Sequence, residues 1–188
     1  MCILDIPFVI LDVETTGLNA KRDRVTEIAL LRIEDCKVVA EWQSLINPTI
    51  DISDEIFKFT GISNQLVAKA PIFLNTIEIL KSYLKGAIVL AHNASFDKSF
   101  LVEEFSRADN HFNNDMLCTV ELSRVLFPQE KRHNLDSLID RHGLQVGSRH
   151  RAMGDVQLVW QWLTKMKEQI APEVLDKSVE YALKKSNR

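Results

Sequence analysis

The sequence predicts an α/β fold, a mixed sheet of five strands flanked by helices, on three observations. Between Phe8 and Ile46 lie three runs rich in Val, Ile and Leu, joined by short polar turns, as in an antiparallel meander. From Pro71 onward short apolar strands alternate with helical patterns. The 188 residues, 46% of them apolar, fit one sizeable core and leave no room for a second full domain.

The first strand is Phe8-Val9-Ile10-Leu11-Asp12-Val13-Glu14, ending in Thr15-Thr16-Gly17-Leu18. Strand alternation puts Phe8, Ile10, Asp12 and Glu14 on one face. Val25 to Ile33 and Val38 to Ile46, with Glu34-Asp35 between them, read as a hairpin beside it. Ser53 starts a short helix that ends at Thr60-Gly61, and Ser63 offers another cap. Pro71 opens a helix from about Ile72 to Leu84, with Gly86 as its stop. Ala87 to Ala91 is a short central strand. It runs into His92-Asn93-Ala94-Ser95-Phe96-Asp97, where Asn93 or Ser95 caps a helix reaching Phe105. Met116 to Thr119 is the last strand, followed by helices at Val120 to Phe127, from Asn134 to Arg141, and from Ala152 to Ile170. The expected domain therefore spans residues 1–170. Residues 171–188 hold a C-terminal amphipathic helix, with Val174, Leu175, Val179 and Leu183 on one face, expected to pack on that domain.

A formal charge of -3 excludes a globally basic nucleic-acid coat but not a local basic surface. Cys2, Cys36 and Cys118 are widely spaced and form no C-x-x-C pair, which favours a reducing, cytoplasmic setting. The apolar run at the N-terminus is broken by Asp5, Pro7 and Asp12, so it reads as no signal peptide, and no stretch approaches the ~20 apolar residues of a membrane helix.

The chemistry lies in the acids. Two carboxylates on one strand face at i and i+2 are roughly 6.5 Å apart along it and repel unless a cation or proton joins them. A lone D-x-E reads more readily as a strand end running into a solvated acidic turn. Asp97 is followed by Phe100, Leu101 and Phe105, and Asp155 by Leu158, Val159 and Trp162, so both acids sit on inward helical stripes. A buried carboxylate is costly unless paired or metal-bound. Taken singly, each is also a first-turn acid facing the helix dipole. His150 precedes Asp155 by five positions, about 140° around a continuous helix, so it belongs to the loop before it. From a loop it can swing toward the acids and accept a proton.

With these residues in place, the sequence resembles the DEDD 3′-5′ exonuclease superfamily, histidine subtype. Within it, the chain is most similar to the proofreading epsilon subunit of bacterial DNA polymerase III. The matching pieces are D-V-E-T-T-G-L from Asp12, R-V-T-E-I-A from Arg24, I-N-P-T-I from Ile46, F-T-G-I from Phe59, H-N-A-S-F-D from His92, L-D-S-L from Leu135 and H-R-A-M-G-D from His150. The resemblance implies an RNase H-like sheet of three antiparallel strands followed by parallel ones. It implies that Asp12, Glu14, Asp97 and Asp155 hold two divalent cations, Mg²⁺ or Mn²⁺, and that His150 is the general base. It further implies a terminal-nucleotide pocket with Thr15, Thr16, Gly17 and Leu18 on one side and His92, Ala94 and Phe96 on the other. Arg149 and Arg151 flank the histidine, where they would keep it neutral and attract phosphates, with Arg149 the expected phosphate contact.

The implied activity is removal of nucleotides from single-stranded or frayed 3′ ends of DNA, in proofreading or repair. The same residues serve RNA in this superfamily, so a free-standing exoribonuclease stands as the alternative. A catalytically silent end-binding module is disfavoured by the intact set of five residues. A polymerase is the implied partner, although Lys167-Glu168-Gln169-Ile170-Ala171-Pro172 carries no clear clamp-binding motif.

Overall fold

The computed structural model describes residues 6–147 and 150–187. Its five strands are β1 (Phe8–Thr15), β2 (Val25–Glu34), β3 (Lys37–Leu45), β4 (Ile88–Ala91) and β5 (Met116–Cys118), in the order β3-β2-β1-β4-β5. The first three are antiparallel, while β4 and β5 run parallel to β1, giving the expected mixed sheet. The helices are α1 (Asp54–Thr60), α2 (Asn64–Val67), α3 (Ile77–Leu84), α4 (Ala94–Arg107), α5 (Thr119–Leu126), α6 (Leu135–His142), α7 (Ala152–Gln169) and α8 (Pro172–Ser186).

The alternation of β1 divides the core in two. Phe8 and Ile10 join Ala29, Leu31 and Ile33 of β2 against Val156, Val159, Trp162 and Leu163 of α7. Val9, Leu11 and Val13 face the other way, onto Leu80 and Leu84 of α3 and Phe100 and Leu101 of α4. Asp12 and Glu14 thus continue the face that α7 covers. β4 pairs with β1 only as far as Ile10↔Leu90, so the acidic end of β1 runs past its parallel neighbour and leaves a gap there.

Three local expectations change. The Ile72–Leu84 helix is broken: Phe73–Thr76 is a 3-10 turn and α3 begins at Ile77. Asn93 stands at the α4 N-cap but in the left-handed region, φ 70°, and its side chain caps nothing; the sharp reversal from β4 into α4 uses that conformation. Thr119 starts α5 instead of ending β5. The caps at Ser53, Ser63 and Asn134 are formed by their side chains as expected.

α8 packs Leu175, Val179 and Ala182 into the α7-side core. Its end also covers the outer edge of β5: Met116 N–H donates to Asn187 Oδ1 (3.0 Å), Cys118 N–H to Ser186 Oγ (3.0 Å), and Asn187 Nδ2 to Met116 O (2.9 Å). An exposed strand edge is thereby closed. No helix is long and apolar enough to cross a membrane among the described residues. Cys36, in the β2–β3 turn, is disulfide-bonded, which lends no support to the reducing setting read from cysteine spacing; Cys118 is a free thiol.

Candidate metal centre

Asp12 and Glu14 leave β1 on the α7 face, and Asp155 in the first turn of α7 meets them there: one carboxylate oxygen from each lies within 4.8 Å of the others. All three residues are half-buried. Asp97 arrives from the opposite layer. It sits in the first turn of α4, 2% exposed, and its Oδ1 accepts the Val13 N–H at 3.3 Å, filling a β1 donor position that β4 is too short to reach.

Burial pushes the Asp97 carboxyl up to about 8, with Glu14 adding to the rise and hydrogen bonds from backbone N–H groups opposing it. Asp12 is raised well above the usual carboxylate range by burial and then by the negative charges of Asp97, Glu14, Asp155 and Glu27. Every charge acting on Asp12 has its own sign. An all-oxygen set of closely grouped, mutually repelling carboxylates is the donor chemistry that hard divalent cations take.

Glu27 escaped the sequence reading. It lies opposite Glu14 on β2, 4% exposed, and the only sequence signal for it is its place in the R-V-T-E-I-A match. Its carboxylate accepts Arg151 Nη2 at 2.7 Å and Nε at 3.0 Å, together with the Ala152 N–H at 3.0 Å. Arg151 is therefore committed to an ion pair, where the sequence suggested a group that attracts phosphates. Arg149 lies outside the described residues.

His150 is in the loop before α7, as expected, with φ 56°, and its ring packs on Phe59 of α1 with centroids 4.1 Å apart.

The residues of the expected nucleotide pocket divide. Leu18 is 86% exposed and shares with Ala94 a groove of about 860 Å³, walled also by Lys21, Lys98 and Arg124. Thr15 and Thr16 are buried and turned inward: Thr15 Oγ1 donates to Gly17 O (2.6 Å), and Thr16 Oγ1 donates to Asp23 (3.3 Å) and accepts the Arg24 N–H (3.0 Å). They brace the loop. A Cβ at Gly17 would stand 2.6 Å from the Asp23 carboxylate, so a side chain there would displace that carboxylate from the Thr16 hydroxyl and the Asn19 N–H. His92 Nδ1 meets Thr119 Oγ1 at 2.9 Å, and Phe96 packs on Phe100. Arg124, on the groove wall, pairs with Glu121, and Arg141 pairs with Glu130.

Comparison with known proteins shows what the chain is similar to. The family model described as Exonuclease matches residues 9–163. A PolC-type DNA polymerase III of Caldanaerobacter subterraneus subsp. tengcongensis is 35% identical over 163 residues, which cover 87% of this chain. The chain spans only 12% of that relative's length. Among solved structures, Exonuclease X in complex with 5′ overhanging duplex DNA superposes with a TM-score of 0.71 at 24% identity, covering 92% of this chain and 99% of that one. The zinc-bound E. coli ExoI–ssDNA complex gives 0.81 at 18% identity, over 93% of this chain and 43% of that one. At these identities the structural likeness establishes the fold.

Proposed function

The chain belongs to the exonuclease family of the DEDD superfamily, and from that premise we propose that it is a metal-dependent 3′-5′ exonuclease acting on single-stranded or frayed DNA, in proofreading or repair. The observation that carries the reading is the convergence of Asp12, Glu14 and Asp155 within 4.8 Å beside a buried Asp97. DNA is favoured over RNA because the relatives at 30–35% identity are DNA polymerases.

Asp12, Glu14, Asp97 and Asp155 would hold the divalent ions, Mg²⁺ or Mn²⁺. Bound there, such ions lower the pKa of an attacking water and stabilise the leaving oxygen of an in-line displacement. The chain's own part is to hold and to move protons. Val13 N–H fixes the Asp97 carboxylate, β1 and α7 hold three acids within reach of one cation, and a ring nitrogen of His150 takes the proton from water as its oxygen attacks phosphorus. The P–O3′ bond breaks, O3′ stays on the shortened strand and takes up a proton from solvent as its new 3′ hydroxyl, and a nucleoside 5′-monophosphate leaves. Phe59 of α1, whose ring lies tilted against the His150 imidazole with centroids 4.1 Å apart, would support the ring in that role. Leu18 and Ala94 would flank the terminal nucleotide from the adjoining groove. Arg149 would contact the phosphate backbone; removing its charge should then weaken strand binding and flatten its salt dependence.

The test offers single-stranded DNA, mismatched duplex and RNA with free 3′ ends, each with Mg²⁺, Mn²⁺ or chelator. Metal-dependent release of 5′-mononucleotides from DNA is expected. Comparable digestion of circular or 3′-blocked strands overturns the reading, and a preference for RNA overturns the choice of DNA.

A further inference from the structure

The start of α7 carries both Asp155 and the loop that presents His150, yet α7 has no cap of its own. Arg151 occupies the N-cap position and its side chain makes no capping bond. The cap comes from another strand: Glu27 of β2 accepts the Ala152 N–H and, with both oxygens, the Arg151 guanidinium. Three properties set this contact apart from an ordinary surface ion pair. The Glu27 side chain is only 5% exposed, the pairing is two-pronged, and the carboxylate also faces the positive end of a helix. Its place is equally specific. Glu27 is directly across from Glu14 in the β1–β2 register and is one of the charges bearing on Asp12, so without Arg151 it would be a fifth acid of the cluster.

We propose that Glu27 and Arg151 are the positioning pair of the metal centre: they fix the first turn of α7 against β2, so that Asp155 meets Asp12 and Glu14, and they neutralise the carboxylate that would otherwise disturb the cation site. The proposal rests on the exonuclease reading. A mere brace would hold the helix and affect only stability. A positioning pair also sets how tightly the cluster takes a cation and how fast the chemistry runs.

The experiment measures Mn²⁺ affinity of the chelator-stripped protein by titration calorimetry, kcat and KM on a 3′-end oligonucleotide, and the melting temperature, for the parent, Arg151→Ala and Glu27→Gln. Loss of partners that orient metal ligands typically costs about 10–100-fold, and Arg151→Ala is expected to lose that much in both Mn²⁺ affinity and kcat, with KM nearly unchanged. Glu27→Gln keeps the side-chain shape and an acceptor for Ala152; it carries the same expectation at the lower end and decides the matter if Arg151→Ala fails to fold. A lowered melting temperature with unchanged Mn²⁺ affinity and kcat overturns the proposal. So does a raised KM with intact kcat, which would make Arg151 a phosphate contact. A parent that binds Mn²⁺ but cleaves no 3′ end overturns the exonuclease reading, and the Mn²⁺ affinities of the variants then decide the pair by themselves. A parent that binds no Mn²⁺ overturns both.

Discussion

Asp97 and Glu104 lie two turns apart on α4, and both are almost inaccessible, at 2% and 1% exposure, yet the protein surrounds them in opposite ways. The Glu104 carboxylate meets Arg24 Nε at 2.7 Å and Nη2 at 3.0 Å, Arg107 Nη1 at 3.3 Å and the Val25 N–H at 3.3 Å. Two guanidinium groups more than balance one charge. Asp97 accepts a hydrogen bond from Val13, but the charge that bears on it is that of Glu14, and its carboxyl rises to about 8. One acid is neutralised by the chain, whereas the other calls for a cation from outside. Burial of an acid therefore says little by itself; the sign of its neighbours separates a structural ion pair from a cation site.

Removing an acid from each site should break opposite properties. Asp12→Ala should cut turnover by about a thousandfold or more, because a bound cation supplies several kcal/mol of charge stabilisation at 1.36 kcal/mol per decade. Its metal-free melting temperature should hold or rise, since one repelling charge has gone. Glu104→Ala should do the reverse. Losing one partner of a buried pair costs about 3 kcal/mol, a drop of about 6–12 °C for a chain of this size, while turnover per folded molecule stays at the parent's level. Arg24 and Arg107 keep some solvent contact, which holds the cost to the low end of the usual range.

A smaller effect is a drift with pH confined to the acidic cluster. Asp97 has a folded value near 8, against about 4 when unfolded, so between those limits the folded chain holds a proton that the unfolded chain releases. The stability this contributes is complete below about pH 4 and is lost as pH rises through 8. Melting in the presence of chelator should therefore weaken from pH 6 to pH 9. Asp97→Asn, which cannot titrate, should flatten that slope, and an equally steep slope in the variant would contradict it.

Much of this was legible in the sequence, but unevenly. The strand alternation of Phe8 to Glu14 and the inward stripes of α4 and α7 placed all four acids on the correct faces, because periodicity is local. The same reasoning flags Glu104, which shares the stripe of Phe100, Leu101 and Phe105; only the motif beginning at His92 singled out Asp97. Glu27 was missed because its partner stands 124 residues away, and pairings of that reach leave no periodic trace. Thr15 and Thr16 were expected to face substrate, yet their hydroxyls close a loop around Asp23 and Gly17, geometry that exists only once the turn has formed. The break before α3 follows the same pattern: Thr76 Oγ1 donates to Phe73 O in the 3-10 turn, an interaction that competes with regular helix.

The contrast between the two acidic sites is tested most directly by titrating Mn²⁺ into the chelator-stripped protein and following the heat of binding. The parent and Glu104→Ala should both bind, and Asp12→Ala and Asp155→Ala should bind at least about tenfold more weakly or not at all. A parent that takes up no Mn²⁺, or an Asp12→Ala variant that binds it as tightly as the parent, would contradict the assignment of Asp12, Glu14, Asp97 and Asp155 as a cation site.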